Sequence, residues 1–340
     1  MHLLNDKQYQ SLTKILQITP EQLKSVVTKY LKNRYDKITE SDLYVCAEGD
    51  IPIALVAHLD TVFKTPPTEI LYDTALNMMI SPQGAGFDDR IGVWMILQIL
   101  STTKLRPHVI FTMGEEVGGL GAVALAKINC PFADLRFMIE LDRRGSNDCV
   151  FYDCDNPSFT SYIESFGFVE NWGSYTDICD LMESWRIAGV NFSVGYRDEH
   201  TVSEVLFVEQ ALDTMQKVKK ILIQPNETIP RFEFMPRAYY YNLTGHSFLN
   251  QYLADKNTRC DICGKKENAA DINSEIIKII DKNGIVKNKC WNCIDDLNWC
   301  ICCDMPFESN QSPDYDPKHP ICPRCARLYS IGYGFSEGNS

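Results

Sequence analysis

Over its first two thirds the chain alternates short apolar runs with longer stretches of helical periodicity. "DLYVCAEGD" and "IPIALVAH" read as two strands with Gly49-Asp50 at the turn. "PHVIFTM", "LRFMIELD" and "CVFYDCD" read as further buried strands. Between them, "DDRIGVWMILQIL" and "EEVGGLGAVALAKI" have the apolar spacing of helices packed on a sheet. Residues 20–30 predict a helix, with Thr19 as N-cap, Pro20 at the first helical position and a glutamate next. "SEVLFVEQALDTMQKVKKIL" predicts a long amphipathic helix that closes the domain near residue 225.

Apolar strands alternating with helices predict an α/β fold, a mostly parallel sheet covered on both faces. Such sheets bind ligands at the carboxyl ends of their strands. The run "IALVAHLDTV" meets that edge with His58 and Asp60, both costly to bury unless paired. Four other segments bring polar residues to the same edge. "GAGFDDRIG" carries Asp88 and Asp89, strand 108–113 ends in Gly114-Glu115-Glu116, strand 136–141 ends at Asp142, and "GYRDEHTVSE" carries His200. Each alone has a plain explanation, a polar pair at a strand end or an acidic N-cap. Together, two histidines and several carboxylates are the ligand set of a two-zinc hydrolytic site. A ligating imidazole needs its other nitrogen held, and Asp60 stands where it can orient His58.

In order, "AHLDTV", "GFDDRIG", "GEEVGGLGA", "ELD" and "DEH" resemble the motifs of the co-catalytic zinc peptidases, the M20, M28 and M42 families. The resemblance spans roughly residues 10–225. It implies a three-layer zinc-peptidase core and hydrolysis of an amide by a metal-bridging water. It further implies His58 and Asp142 as ligands of one metal, Glu116 and His200 as ligands of the other, and Asp88 as the bridge, with Asp89 the competing choice. Glu115 would be the general base and Asp60 the orienter. Arg90 is expected to make a structural ion pair. Many members carry an inserted lid, but gaps of 30 residues from His58 to Asp88, 26 from Glu116 to Asp142 and 58 from Asp142 to His200 leave no room for one there. Specificity would then fall to local loops, with "WGSYTD" (172–177) and Tyr196-Arg197 as candidates.

Fourteen cysteines are present, and nine lie between Cys260 and Cys325. Cys260 and Cys263 with Cys290 and Cys293 form CxxC-x26-CxxC; Cys300 and Cys303 with Cys322 and Cys325 form CxxC-x18-CxxC. Two such pairs complete a closed tetrahedral zinc site, so the tail reads as a small zinc-ribbon-like module with two structural zinc ions. Consecutive and interleaved pairing are both open; Cys302 is spare and His319 could replace a thiolate. The tail is too short and polar for a large core, so metal must supply folding energy. The expected domains are 1–229 (hydrolase), 230–259 (linker, with aromatics that suggest packing) and 260–340 (zinc binding).

The formal charge of −12 gives no global sign of nucleic-acid binding. There is no apolar run of about 20 residues and no signal-peptide pattern at the N-terminus, so a cytoplasmic, membrane-free protein is expected. The expected activity is an aminopeptidase or N-acyl deacylase acting on a small peptide or acylated small molecule. Its two catalytic metals would be zinc, with cobalt or manganese as alternatives. The competing expectation is an inactive peptidase-like fold kept for binding, with the zinc tail recognising nucleic acid or protein. Homo-oligomerisation stays open.

Overall fold

The computed structural model describes residues 3–173, 175–236, 259–265, 276–280, 286–290, 293–294, 297–299 and 306–308. Two compact units divide the chain, Met1–Arg237 and Ala238–Ser340.

The first unit opens with α1 (Asp6–Leu16) and α2 (Pro20–Lys32), each started by a capping box, Asn5 with Gln8 and Thr19 with Gln22. There follow β1 (Lys37–Glu40), β2 (Tyr44–Glu48), β3 (Ile51–His58), β4 (Leu71–Asp73), β5 (Met78–Ile80), α3 (Phe87–Thr102), β6 (Pro107–Thr112), α4 (Leu120–Ala126) and β7 (Phe137–Arg143). Then come β8 (Asp148–Val150), α5 (Pro157–Glu164), β9 (Val169–Glu170), α6 (Asp177–Trp185), β10 (Gly189–Ser193), β11 (Tyr196–Arg197), β12 (Val205–Phe207) and α7 (Val208–Leu222).

The main sheet has the order β1-β2-β6-β3-β7-β10-β8-β9. Its centre, β6, β3, β7 and β10, is parallel, and antiparallel strands flank it. All eight residues of β3 are buried, which is why "IPIALVA" is apolar throughout, rather than alternating, up to His58. Two groups of helices cover the sheet: α3 with α1 and α7, and α4 with α6. Gly92 lets α3 approach β7, since a Cβ there would lie 2.1 Å from the Leu141 carbonyl oxygen. No domain is inserted between the motifs among the described residues, and the parallel strands end together, so His58, the Gly114–Glu116 turn and Asp142 share one edge.

Three expectations differ in detail. The strands either side of Gly49-Asp50 are not hydrogen-bonded to each other, because β6 lies between them, antiparallel to β2 and parallel to β3. The predicted helix beginning at Glu115 starts only at Leu120, since Gly114, Gly118 and Gly119 take positive φ and make the preceding segment a turn. The long closing helix begins at Val208; Val205–Phe207 instead pair with β5 in a second sheet, β11-β12-β5-β4.

Residues 229–236 pack on the first unit. Phe232 is buried against Phe137, Phe159 and Tyr162. Its N–H donates to the Arg136 carbonyl, and its carbonyl accepts from the Ala188 N–H. The second unit holds a small sheet, β13 (Ile276–Ile280), β14 (Val286–Cys290), β15 (Leu297–Trp299) and β16 (Pro306–Glu308), in the order β14-β13-β16-β15. No described helix is long and apolar enough to cross a membrane.

Candidate metal centre

His58, the last residue of β3, is fully buried. Its Nε2 lies 3.2 Å from Asp88 Oδ1 and 3.5 Å from Asp142 Oδ1. The other oxygen of Asp88 lies 3.2 Å from His200 Nε2, which is itself 2.9 Å from Glu116 Oε2. Two ligand groups result, His58/Asp88/Asp142 and Asp88/Glu116/His200, with Asp88 common to both. A tetrahedral ion bound at about 2.1 Å to nitrogen and oxygen sets its ligand atoms roughly 3.4 Å apart. The donor sets therefore suit divalent metal ions.

Asp60 has two contacts that explain its place two residues beyond His58. Its Oδ1 is 3.5 Å from His58 Nδ1. Its carboxylate also accepts the N–H groups of Gly114 (2.8 Å), Glu115 (3.3 Å) and Glu116 (3.3 Å), which fixes the turn carrying both glutamates. Asp89 faces elsewhere: its oxygens accept the N–H groups of His58 and Gly92. It shares a cis peptide with Asp88.

The pocket is rich in acid. Burial, then Asp88 and Asp60, raises the Glu115 carboxyl above its usual range. Burial and Asp88 push Glu116 up to about 7 and hold Asp142 well above the ordinary carboxylate range. Burial alone would lower His58, but Asp142, Asp60 and Asp88 more than offset it, so the imidazole stays easily protonated. The hydrogen bond to Asp88 raises His200 to about 9. Carboxyls that resist ionising, beside imidazoles that hold protons, mark a cleft short of positive charge. Glu116 Oε1, both oxygens of Glu140 and Asp177 Oδ1 are buried without a well-formed hydrogen bond. Cations held by the two ligand groups would offset the excess of carboxylates there.

Glu204 and Asn191 escaped the sequence reading, and other residues take roles it did not assign. Glu204, fully buried, accepts the N–H groups of Gly86 (2.7 Å) and Asp88 (2.9 Å) and so places the shared aspartate. It lies four residues after His200 in "DEHTVSE", but periodicity assigned it to a helix. Asn191 grips the Asp142 backbone from both sides, accepting its N–H and donating to its carbonyl, each at 2.9 Å. Thr176 and Tyr196 donate to the Asp142 carboxylate at 3.2 Å. Tyr196 is thus committed to a candidate ligand, and Arg197 lies over the Phe207 ring. Tyr175 is half exposed beside Gly119, whose φ of +65° and missing Cβ make room for it. Arg90 is structural, though its contacts are the carbonyls of Ile15 and Ile18 at the end of α1 rather than a carboxylate.

The sequence model of peptidase family M28 matches residues 44–165. The chain is related to the co-catalytic zinc peptidases. Its fold agrees. The PepT aminopeptidase of Bacillus cereus aligns with a TM-score of 0.52 at 14% identity, over 64% of this chain and 97% of that one. A Staphylococcus aureus tripeptidase gives 0.52 at 12%, over 65% and 98%. An aminopeptidase from Desulfurococcus kamchatkensis gives 0.51 at 15%, over 66% and 98%. No curated protein matches the chain in sequence. Kinship with metal-dependent peptidases rests on the matched segment, which holds four of the five zinc-peptidase motifs, through Asp142, and stops before His200.

In the second unit Cys260, Cys263, Cys290 and Cys293 form a further candidate metal group. Cys300, Cys302, Cys303, His319, Cys322 and Cys325 lie outside the described residues.

Proposed function

We propose that the first unit is a two-metal amide hydrolase of the aminopeptidase type. One observation carries the reading: Asp88 turns one oxygen toward each imidazole-centred ligand group. In this reading His58, Asp88 and Asp142 hold one ion, and Asp88, Glu116 and His200 hold the other. Bound there, a pair of divalent cations would supply Lewis-acid chemistry, polarising an amide carbonyl and acidifying water.

The protein's own groups do the rest. Glu115 belongs to neither ligand group, yet its turn is tied to Asp60 beside His58. It takes a proton from the attacking water and returns it to the departing amine. Asp60 holds His58 and the glutamate turn in one geometry. Thr176, Tyr196 and Asn191 fix Asp142, and Glu204 fixes Asp88. Zinc is the proposed ion in both places, and the proposed compartment is the cytoplasm, where thiols stay reduced and open to metal. The proposed substrates are short peptides with a free N-terminus, since two of the aligned enzymes are named aminopeptidases and the third a tripeptidase.

The test is release of chromophore from amino-acid anilides by the full chain, with zinc, cobalt or manganese added and with EDTA. Turnover that EDTA abolishes, and that Glu115→Gln lowers by about 100- to 10,000-fold while bound metal is unchanged, is expected. A full chain loaded with metal that hydrolyses no member of a broad panel, acylated amino acids included, would give way to the adaptor reading.

A further inference from the structure

We propose that Cys260, Cys263, Cys290 and Cys293 hold one zinc ion in a closed tetrathiolate site, the first CxxC pair acting with the second. The four sulfurs lie within 4.8 Å of one another. Cys263 Sγ and Cys290 Sγ, from different pairs, are 3.7 Å apart. A zinc ion with thiolate bonds of about 2.3 Å sets its sulfurs roughly 3.8 Å apart. A disulfide needs about 2.05 Å.

The surrounding backbone is built for the same purpose. The first pair sits on a tight turn: the Gly264 N–H donates to the Cys260 carbonyl, and the Cys260 N–H donates to the Lys265 carbonyl, both at 2.9 Å. Gly264 closes the turn at φ +72°. The second pair begins at the last residue of β14, where Cys290 lies opposite Ile276 of β13. Two hydrogen bonds of 2.8 Å join the pairs, from the Asp261 N–H to the Asn288 carbonyl and from the Asn288 N–H to Asp261 Oδ2. Cys260 and Cys290 are buried with Ile276, and Cys293 packs against them. Four thiolates fill a tetrahedron and leave no open position, so the ion is structural. This inference is independent of the chemistry of the first unit.

The experiment uses the full chain with Cys300, Cys303, Cys322 and Cys325 all changed to Ser, stripped of metal under reducing conditions and loaded with cobalt. Thiolate-to-cobalt absorption reports only cysteine ligation, so ions in the histidine-carboxylate cleft do not contribute. One equivalent of thiolate-bound cobalt is expected, and it should vanish when Cys290→Ser and Cys293→Ser are added. Absence of the band in the four-serine protein overturns the proposal. So does a full band in the otherwise wild-type Cys290→Ser, Cys293→Ser chain, which would show that another pair completes the first. If the four-serine chain is insoluble, alkylation mapping of the wild-type protein decides. The four cysteines should be protected with zinc bound and become reactive together on chelation; reactivity one by one, or without chelation, overturns the assignment.

Discussion

The two units are held together by opposite means. In the first, one apolar cluster runs from Leu4 to Phe232, and the candidate metal ligands stand on strands that this cluster has already fixed. In the second, the cysteine cluster among the described residues is Cys260, Ile276 and Cys290, with Cys293 against it. There the candidate ligands are themselves members of the cluster. On the proposed reading, metal in the first unit would be an addition to a finished fold, and in the second the condition for one.

Removing metal should separate the two most strongly. Chelation is expected to abolish hydrogen-exchange protection in residues 276–280 and 286–290 outright, since structural zinc supplies about 10–16 kcal/mol to small modules of this kind. The first unit should stay folded and lose only about 3–4 kcal/mol, the linkage expected at a hundred- to thousandfold saturation. Equal loss of protection in both units would break the contrast. Asp88→Ala tests the first unit from inside. Activity should fall by roughly 1,000-fold or more, because several kcal/mol of transition-state stabilisation is at stake. Bound cleft metal should drop while the far-ultraviolet circular dichroism holds. A variant that still binds two equivalents tightly in the cleft would remove Asp88 from the shared position.

Glu204→Ala should cost about 2–5 kcal/mol in denaturant unfolding, because the N–H groups of Gly86 and Asp88 would be left buried without acceptors. Glu204→Gln keeps an acceptor and should cost less; equal costs would argue against this role. The smallest effect concerns His108, at the end of the sheet remote from the cleft. Its Nδ1 accepts the Gly49 N–H and its Nε2 pairs with Asp134, each at 3.0 Å. Burial depresses its proton affinity below the usual 6.5. A group depressed in the folded state contributes stability that is present above its unfolded value and lost as pH falls through the folded one. The melting temperature should therefore fall more steeply between about pH 7 and pH 5 in the wild type than in His108→Gln. Parallel curves would mean that His108 carries no such linkage.

Much of this was legible in the chain because strand and helix periods are local. The run 51–58 announces a strand buried on both faces, and the "HLD", "DD", "GEE", "ELD" and "DEH" segments announce polar groups at strand ends. Glu204 and Asn191 were not legible, and Thr176 and Tyr196 stood out only as specificity candidates, not as supports of Asp142, since each acts on a residue distant in sequence. Strand Val205–Phe207 was hidden by the helical spacing that follows it; pairing with Met78–Ile80 overrode local preference.

By itself the sequence determined which residue types occur and the kind of element that carries each of them, because side-chain periodicity and turn chemistry act over a few residues. Only the tertiary structure decided which aspartate of the pair faces both imidazoles, which buried carboxylate places it, and that Cys263 lies beside Cys290. Those are distances between segments far apart along the chain, and they are set by sheet order, strand register and burial.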